Sequence, residues 1–464
     1  MQRKQTTSCG HEGSLSEVGV ELRDSPAALS ISPASERGRD DIQEVEDDLL
    51  ERILSRENLN LAYKRVKANK GSHGVDGMVV DELLPFMKQH GETIRQRILA
   101  GEYVPQPVRK VEIPKPDGGV RQLGIPTVVD RLMQQAMAQE LNKIFDPDFS
   151  KNSYGFRPKK SAHHAIIAAR GYIEQGYQWT VDIDLEKFFD KVNHDKLMSL
   201  VARKVKDKRV LGLIRKYLKS GIMMNGVKVK SEEGTPQGGP LSPLLANIML
   251  DELDRELEKR GHKFCRYADD CNIYIKSKKA GERVMEITTG YIEEVLKLRI
   301  NRSKSAVDRP NKRKFLGFSF YIKKGEARNF IHKKPVERFK AKVREVTARS
   351  NGKSMEWRKE ALNHLVTGWV NYFRIADMKE IAGKLDQWIR RRIRMCYWKQ
   401  WKKSKTKHKN LVTLGIETNK AWEFANTRKG YWRISNSYIL NTSITNKYLE
   451  EQGFIGLTKR LSLY

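Results

Sequence analysis

Acidic residues in two short segments have the types and spacing needed to hold divalent cations. Residues 179–189 alternate apolar side chains with Asp182 and Asp184, and this strand pattern places both carboxylates on one face. Asp269 and Asp270 follow at a predicted turn between two short β-prone segments. Carboxylates from neighbouring strands are the hard oxygen ligands that Mg²⁺ prefers, and burying them without a positive partner is costly. Two such ions would support in-line nucleotidyl transfer, one activating a hydroxyl and the other holding a triphosphate.

The segments around these carboxylates show an α/β pattern that later gives way to helices. Short strands and helices mix over residues 177–275. Upstream, Val108–Pro114 and Val120–Ile125 predict two strands joined by a glycine-rich turn. Beyond Pro335 the chain becomes helical and basic, and seven of the eight tryptophans follow that residue. This change in composition predicts a domain boundary near residues 325–335.

The charge balance is the strongest signal in the composition. The 464 residues include 88 Lys and Arg against 57 Asp and Glu, which gives a net charge of +31 and a pI near 9.8. Such an excess favours a polyanionic partner, nucleic acid, over a generic basic enzyme. No apolar run approaches the ~18 residues of a membrane span, so no membrane partner is expected. Four cysteines with no C-x-x-C pair argue against a disulfide framework and a zinc site, and favour a reducing, cytoplasmic location.

Five motifs around the acidic residues occur in the order of a known family. Residues 182–185 resemble polymerase motif A, 234–243 motif B in its group II form, 267–270 motif C, 300–305 motif D and 315–318 motif E. Any one of them is weak, and Asp269 and Asp270 taken alone also fit an ordinary Asp-rich turn. Residues 70–77, 154–158 and 368–373 add further similarity in the N-terminal loop, the fingers and the maturase domain. Over residues 48–464 the chain resembles a bacterial group II intron-encoded reverse transcriptase.

The resemblance implies an α+β fold of the right-hand polymerase type with a mainly antiparallel palm sheet. The expected parts are an N-terminal extension and fingers at 48–176, a palm at 177–330, an all-helical thumb or maturase domain at 331–404 and a basic DNA-binding segment at 405–464. Residues 1–47, with ten acids and five Lys or Arg, predict a disordered acidic extension. The chain reaches Tyr464 without the paired cysteines and histidines of a zinc-associated endonuclease, as in the short bacterial class.

The same resemblance assigns catalytic and metal-binding roles to three aspartates. Asp184, Asp269 and Asp270 are expected to hold two Mg²⁺ ions. Asp184 is preferred over Asp182 because it lies nearer the strand end and because its spacing to the aromatic pair fits the family. Asp182 is then a solvated or paired neighbour.

Nucleotide selection is expected from residues next to motifs A and B. Phe188 would pack under the incoming sugar and clash with a 2′-hydroxyl, which selects deoxynucleotides. Phe189 is the alternate, and the member of the pair that does not face the nucleotide is expected in the core. Gln237, followed by two glycines, would approach the nascent base pair, although Pro236 and the glycines also suit an ordinary turn.

Three cations are candidates for contacts with the triphosphate. Lys115 and Arg121 lie on the predicted finger hairpin, where they would fold onto the triphosphate and make charge-assisted contacts. Lys304 matches the motif D lysine and is a candidate acid for the pyrophosphate leaving group. For each of the three, a simple solvated charge is the alternative.

Nucleic-acid contacts are predicted mainly from the basic tail region. Residues 387–409 contain ten Lys or Arg and no acid, and aromatic side chains interleave with them. A helical stripe of apolar residues would pack on the core while the opposite face meets phosphates. The candidates are Lys70 in the N-terminal loop and the tail residues Arg390, Arg391, Arg392, Lys402 and Lys403. A solvated helix face is the alternative.

The predicted function is therefore that of an RNA-directed DNA polymerase with a two-metal mechanism. Its partners would be an RNA template, a DNA primer or target, deoxynucleoside triphosphates and a group II intron RNA whose splicing it assists and which it copies during retrohoming. Two alternatives remain: a domesticated relative acting in DNA repair or host defence, and a non-catalytic RNA-binding splicing chaperone. The intact aspartates argue against the chaperone.

Overall fold

A computed structural model describes residues 48–114, 118–224, 227–229, 234 and 238–464. The predicted acidic extension at 1–47 lies outside the described residues. Among the described residues, no helix has both the length and the apolar character needed to cross a membrane.

In the N-terminal part, the first two helices pack against a long buried helix, Val128–Phe145. The elements are α1 (Leu49–Ile53), α2 (Arg56–Ala68), α3 (Leu83–Leu99), β1 (Val108–Pro114), β2 (Val120–Ile125), α4 (Val128–Phe145) and α5 (Ala162–Glu174). Helix α4 begins after Thr127, whose side chain accepts a hydrogen bond from the Asp130 N–H and caps the helix. The strand bounds at Val108–Pro114 and Val120–Ile125 confirm the sequence prediction.

The first sheet has the order β2-β1-β4-β5 and joins the hairpin of the predicted finger range to two short strands of the predicted palm range. Strands β1 and β2 pair antiparallel from Arg109↔Ile125 to Pro114↔Val120. Strand β1 also makes a short parallel pairing with β4 (Ile222–Met224), and β4 pairs antiparallel with β5 (Val227–Val229).

The second sheet is antiparallel throughout and has the order β6-β7-β3-β8. Its strands are β3 (Trp179–Ile183), β6 (Lys263–Tyr267), β7 (Asp270–Ile275) and β8 (Ala306–Asp308). Helices α6 (Phe188–Lys191), α7 (His194–Val201), α8 (Lys208–Leu218), α9 (Ser242–Lys259) and α10 (Lys278–Gly290) connect or cover these strands. A single π-helical turn, Tyr291–Val295, follows α10. One hydrophobic cluster joins this sheet to α1–α4, so the palm and the N-terminal helices share a core.

The C-terminal part begins with the hairpin β9 (Phe318–Lys323) and β10 (Glu326–Ile331) and is helical from there on. Its helices are α11 (Lys333–Val346), α12 (Met355–Phe373), α13 (Lys379–Gln400), α14 (Ser404–Thr413), α15 (Thr418–Ala425), α16 (Tyr431–Ile434), α17 (Tyr438–Ser443), α18 (Asn446–Glu451) and α19 (Leu457–Leu461). The predicted apolar stripe of α13 is mostly buried, as its spacing requires. A second hydrophobic cluster runs without interruption from α12 and α13 to Leu457. The boundary predicted after residue 404 therefore falls inside a continuous core.

Candidate active site

The two aspartates of motif C lie at the tip of the β6–β7 hairpin. Tyr267 pairs with Asp270, which leaves Ala268 and Asp269 as a two-residue turn. Ala268 has a φ of +56°, in the left-handed region that such tight turns require. Asp270 is the first residue of β7, and both aspartates retain partial exposure. The prediction that they fall in or beside a hairpin turn is confirmed.

Asp184 lies directly after β3, and its backbone is held by the motif D segment. The Asp184 N–H donates to Ser305 Oγ (3.0 Å), and the Asn301 N–H donates to the Asp184 carbonyl (2.8 Å). The Lys304 ammonium lies 3.9 Å from Asp184 Oδ2, and both side chains are open to solvent. Motifs A and D therefore form one structural unit, and Lys304 reaches the acidic site.

Asp182 already has a positive partner. The Arg313 guanidinium donates to the Asp182 carboxylate, with a distance of 2.8 Å from its Nε, and also donates to the Lys304 carbonyl (2.6 Å). Asn272, the residue paired with Asp182 across the sheet, adds a weak contact at 3.4 Å. The geometry thus places Asp182 as a paired neighbour and leaves Asp184 facing solvent.

Arg313 and Lys314 are functional candidates that the sequence motifs did not single out. They immediately precede Phe315 of motif E, and two adjacent cations before that motif were the only available signal. Burial raises the pKa of Asp182, and Arg313 and Lys314 both oppose that rise. Lys314 also opposes the rise in the pKa of Asp270. Together they join motif E to the acidic site.

The electrostatics at Asp270 favour a bound cation. Burial raises the pKa of Asp270 well above its ordinary value, and the nearby Asp182 and Asp269 carboxylates raise it further, whereas Lys314 opposes the shift. A set of oxygen donors whose negative charges destabilise one another suits a hard divalent ion. In the described part of the chain, however, no three His, Cys, Asp or Glu side chains converge tightly enough to enclose a metal ion.

A fully buried ion pair lies directly beneath the motif C turn. Arg266 donates through Nε and Nη2 to the two Asp254 oxygens at 2.7 and 2.5 Å. Its other contacts are to Asn247 Oδ1 (3.0 Å), Ser153 Oγ (2.9 Å) and the Ala268 carbonyl (3.0 Å). All its donor nitrogens are thereby satisfied, and one bond holds the residue beside Asp269.

Gly155 packs closely against the backbone of the same turn. A Cβ at Gly155 would lie 2.3 Å from the Ala268 backbone nitrogen, a distance that side-chain atoms do not tolerate. The Gly155 carbonyl accepts a hydrogen bond from Asn247 Nδ2 (2.9 Å), and the Tyr154 N–H donates to the Arg266 carbonyl (2.8 Å). The segment 154–158 thus serves as a backbone support for the catalytic hairpin.

The two phenylalanines that follow motif A differ in how deeply they are buried. Phe188 is 3% exposed and belongs to the palm core, whereas Phe189 is only partly buried. Their ring centroids lie 5.1 Å apart at 74°. Phe189 also packs against this core, and its greater exposure favours it, the alternate, over Phe188 as the ring that would face the sugar.

The two motif B glycines pack closely against strand β2 and helix α4. A Cβ at Gly238 would lie 2.9 Å from the Gly124 carbonyl oxygen, and one at Gly239 would lie 2.3 Å from Gln134 Oε1. Gln237 itself lies outside the described residues, as does Lys115. Arg121 is described in its backbone, where it pairs with Ile113 near the tip of the finger hairpin.

The predicted phosphate-binding arginines of α13 have internal partners in two of three cases. Arg391 stacks on Trp432, 3.8 Å from the ring centroid, and donates to its carbonyl (2.9 Å). Arg392 donates through Nε to Thr347 Oγ1 (2.5 Å), and burial lowers its pKa. These contacts link α13 to α16 and to the residue that follows α11. Arg390, Arg391 and Arg392 are all partly exposed, so the expectation that this face meets phosphates stays a prediction for all three.

The remaining predicted cations are accessible. Lys402 and Lys403 are exposed in the connection between α13 and α14. Lys70 is exposed in the N-terminal loop, which Arg109 and Arg131 hold through the carbonyls of His73 and Ser72. They stay candidates for backbone contacts with nucleic acid.

Comparisons with known proteins give family matches in both the first and the second half of the chain. Residues 113–320 match the model of the reverse transcriptase (RNA-dependent DNA polymerase) family, and residues 336–415 match that of the group II intron maturase-specific domain. Protein YkfC of Escherichia coli K12 is 35% identical over 303 residues, which cover 57% of this chain and 80% of YkfC. The group II intron-encoded protein LtrA of Lactococcus lactis subsp. cremoris is 37% identical over 242 residues, which cover 52% of this chain and 40% of LtrA.

The similarity to solved structures is weak. A chain of a partial Cas6-RT-Cas1–Cas2 complex aligns with 53% of this chain and 42% of its own length, at 25% identity and a TM-score of 0.35.

Proposed function

The chain belongs to the family of group II intron-encoded reverse transcriptases, and on that premise we propose that it synthesises DNA on an RNA template and assists the splicing of an intron RNA. The observation that carries the polymerase part is the juxtaposition of Asp184, at the end of β3, with the Asp269–Asp270 turn of the paired hairpin. The maturase-domain match over 336–415 carries the splicing part.

Asp184, Asp269 and Asp270 would hold the divalent cations of the reaction. Two Mg²⁺ ions, when bound, would activate the primer hydroxyl and stabilise charge on the triphosphate. The protein's own contribution is to position the three carboxylates, through the Ser305 and Asn301 hydrogen bonds on one side and the Arg266 network on the other. Removal of Mg²⁺ by a chelator is expected to stop primer extension.

The proposed cations around this site would contact the triphosphate. Lys304 lies beside Asp184, within reach of a leaving pyrophosphate, and would donate a proton to it. Lys115 and Arg121 on the finger hairpin would make charge-assisted contacts to phosphate oxygens, and Gln237 would approach the nascent base pair.

Phe189, rather than Phe188, is proposed to exclude the 2′-hydroxyl of ribonucleotides. Phe189→Ala is expected to raise ribonucleotide incorporation at least tenfold relative to deoxynucleotide incorporation, because it removes the clashing ring. Phe188→Ala is the matched control: it opens a core cavity and should cost about 3–5 kcal/mol of stability while leaving sugar selectivity unchanged. Single-nucleotide insertion kinetics and thermal melts measure both effects. A selectivity change in Phe188→Ala but not in Phe189→Ala would reverse the assignment.

Splicing assistance is proposed to use RNA binding and not the aspartates. Asp269→Asn is therefore expected to keep promoting splicing of a cognate group II intron RNA, at about the wild-type rate, while it loses DNA synthesis. The two assays are run on the same preparation, with circular dichroism to show that the variant is folded. Parallel loss of both activities in a folded variant would contradict separable functions.

A further inference from the structure

A polar groove lies between α13 and the segment 436–447, which includes α17 and the start of α18. It has a cavity volume of about 650 Å³ and is lined by Gln387, Arg390 and Arg394 from α13 and by Asn436, Asn441 and Lys447 from the opposite wall. None of the residues that line it is acidic. A concave site with three cations and several side-chain amides has the chemistry to receive an anion that also carries hydrogen-bonding groups.

Arg394 places a buried positive charge at this groove. The residue is 7% exposed, and its Nε donates to the Ile444 carbonyl (2.9 Å) while Nη2 lies 3.4 Å from Asn446 Oδ1. Among the described residues it has no carboxylate within ion-pairing distance, and burial together with Arg390 lowers its pKa to about 10. Buried cations in proteins are normally paired, so this guanidinium lacks the negative partner that its burial calls for.

The other two cations at the groove are more exposed than Arg394 and are not held by a close ion pair. Arg390 is half-buried on the same face as Arg394, one turn of α13 earlier, and has no ion-pair partner in the described part of the chain. Lys447 stands at the rim, highly exposed, and its nearest carboxylate is Glu451 at 3.9 Å. Successive cations along a groove suit the repeated phosphates of a nucleic-acid backbone.

An exposed aromatic side chain lies beside the amides. Tyr438 is 76% exposed, and it stands one turn before Asn441 on the same face of α17. An aromatic ring so open to water has no packing role, but it offers a surface on which an unpaired base would stack. Side-chain amides such as those of Asn436 and Asn441 can bond to base edges, which are accessible when a strand is single.

We propose that this groove binds a single-stranded nucleic-acid segment, with phosphates at Arg390, Arg394 and Lys447, a base stacked on Tyr438 and base edges at Asn436 and Asn441. The proposal rests on the proposed function in that it names the site and the form of one nucleic-acid partner. It also adds a defined cavity to the arginine face predicted from sequence. RNA and DNA share this chemistry, so both are probes in the test.

The test measures binding of labelled single-stranded RNA, single-stranded DNA of the same sequence and a DNA duplex across a salt series. Because Arg394 also holds the Ile444 carbonyl, the test uses Arg390→Gln/Lys447→Gln. Losing two phosphate contacts should flatten the slope of log affinity against log salt by about 1.4 on a single strand. The control, Lys384→Gln/Lys420→Gln, removes two lysines from exposed ion pairs on α13 and α15, outside the groove, and should leave the slope unchanged.

Tyr438 provides an independent arm with a different signature. Tyr438→Ala should weaken single-strand binding by about 5- to 100-fold with no change in salt slope, and Tyr438→Phe should restore it. If the variants lose more affinity for single-stranded RNA than for single-stranded DNA, RNA is the natural ligand of the groove. The opposite result identifies DNA. Unchanged affinity and slope in the double variant, an equal change in the control, or a loss confined to the duplex would overturn the proposal. Primer extension at saturating template is measured in parallel, because its failure in the wild type would instead overturn the polymerase function.

Discussion

Asp269→Asn is expected to lower the rate of primer extension by roughly a thousandfold or more, because a metal ion supplies several kcal/mol of transition-state stabilisation. The substitution keeps the size of the side chain and removes only the charge at the tip of the β6–β7 turn. The measurement is single-turnover extension of a DNA primer on an RNA template with the purified full chain.

Glu186→Gln is the matched control for this experiment. Glu186 is exposed and lies two residues after Asp184, so the substitution removes a negative charge near the site without touching the three aspartates. Extension by this variant should stay within about twofold of the wild type. If Asp269→Asn keeps wild-type extension, or if both variants lose it equally, the assignment of the site to the motif C turn fails.

Arg266→Met is expected to destabilise the protein by about 3–5 kcal/mol, because it leaves the Asp254 carboxylate buried without its partner. The same change releases the Ala268 carbonyl, so the catalytic turn should lose its register even where the protein remains folded. Chemical denaturation measures the free energy of unfolding. The rate of primer extension at low temperature reports whether the turn still positions its aspartates.

An exposed arginine at the end of α9 provides the comparison. Arg260 forms a surface pair with Glu256, and Arg260→Met should cost no more than about 1 kcal/mol. Arg266→Met/Asp254→Leu removes both buried charges and is expected to recover part of the stability but not the activity. Equal stability of Arg266→Met and Arg260→Met, or full activity in the double variant, would show that the buried pair does not position the turn.

The sequence predicted those features that depend on local pattern. The alternation around Asp182 and Asp184 defined β3, and the turn chemistry defined the finger hairpin from Val108 to Ile125. The palm sheet is antiparallel as the resemblance implied. Each of these features follows from residues within one or two strands, where side-chain period and turn type suffice.

Features that depend on distant contacts could not be predicted in this way. Nothing near Asp182 in sequence indicates that Arg313, 131 residues later, balances its charge. The burial of Phe188 rather than Phe189 depends on the left-handed turn at Lys187, which sets the direction of α6. The sequence around Arg391 and Arg392 gave no sign of their internal contacts. Trp432, which contacts Arg391, belongs to α16, and Thr347, which contacts Arg392, follows α11.

The most direct test of the central claim, that Asp184, Asp269 and Asp270 form one divalent-cation site, is a cation-binding measurement. Mn²⁺ serves as a paramagnetic substitute for Mg²⁺ and is titrated into the full chain with primer, template and deoxynucleotide, while electron paramagnetic resonance counts the free ion. The primer ends in a dideoxynucleotide, so no turnover occurs. We predict that the wild type and Glu186→Gln bind two ions tightly and that Asp269→Asn loses at least one of them. Equal binding by wild type and Asp269→Asn would contradict the claim.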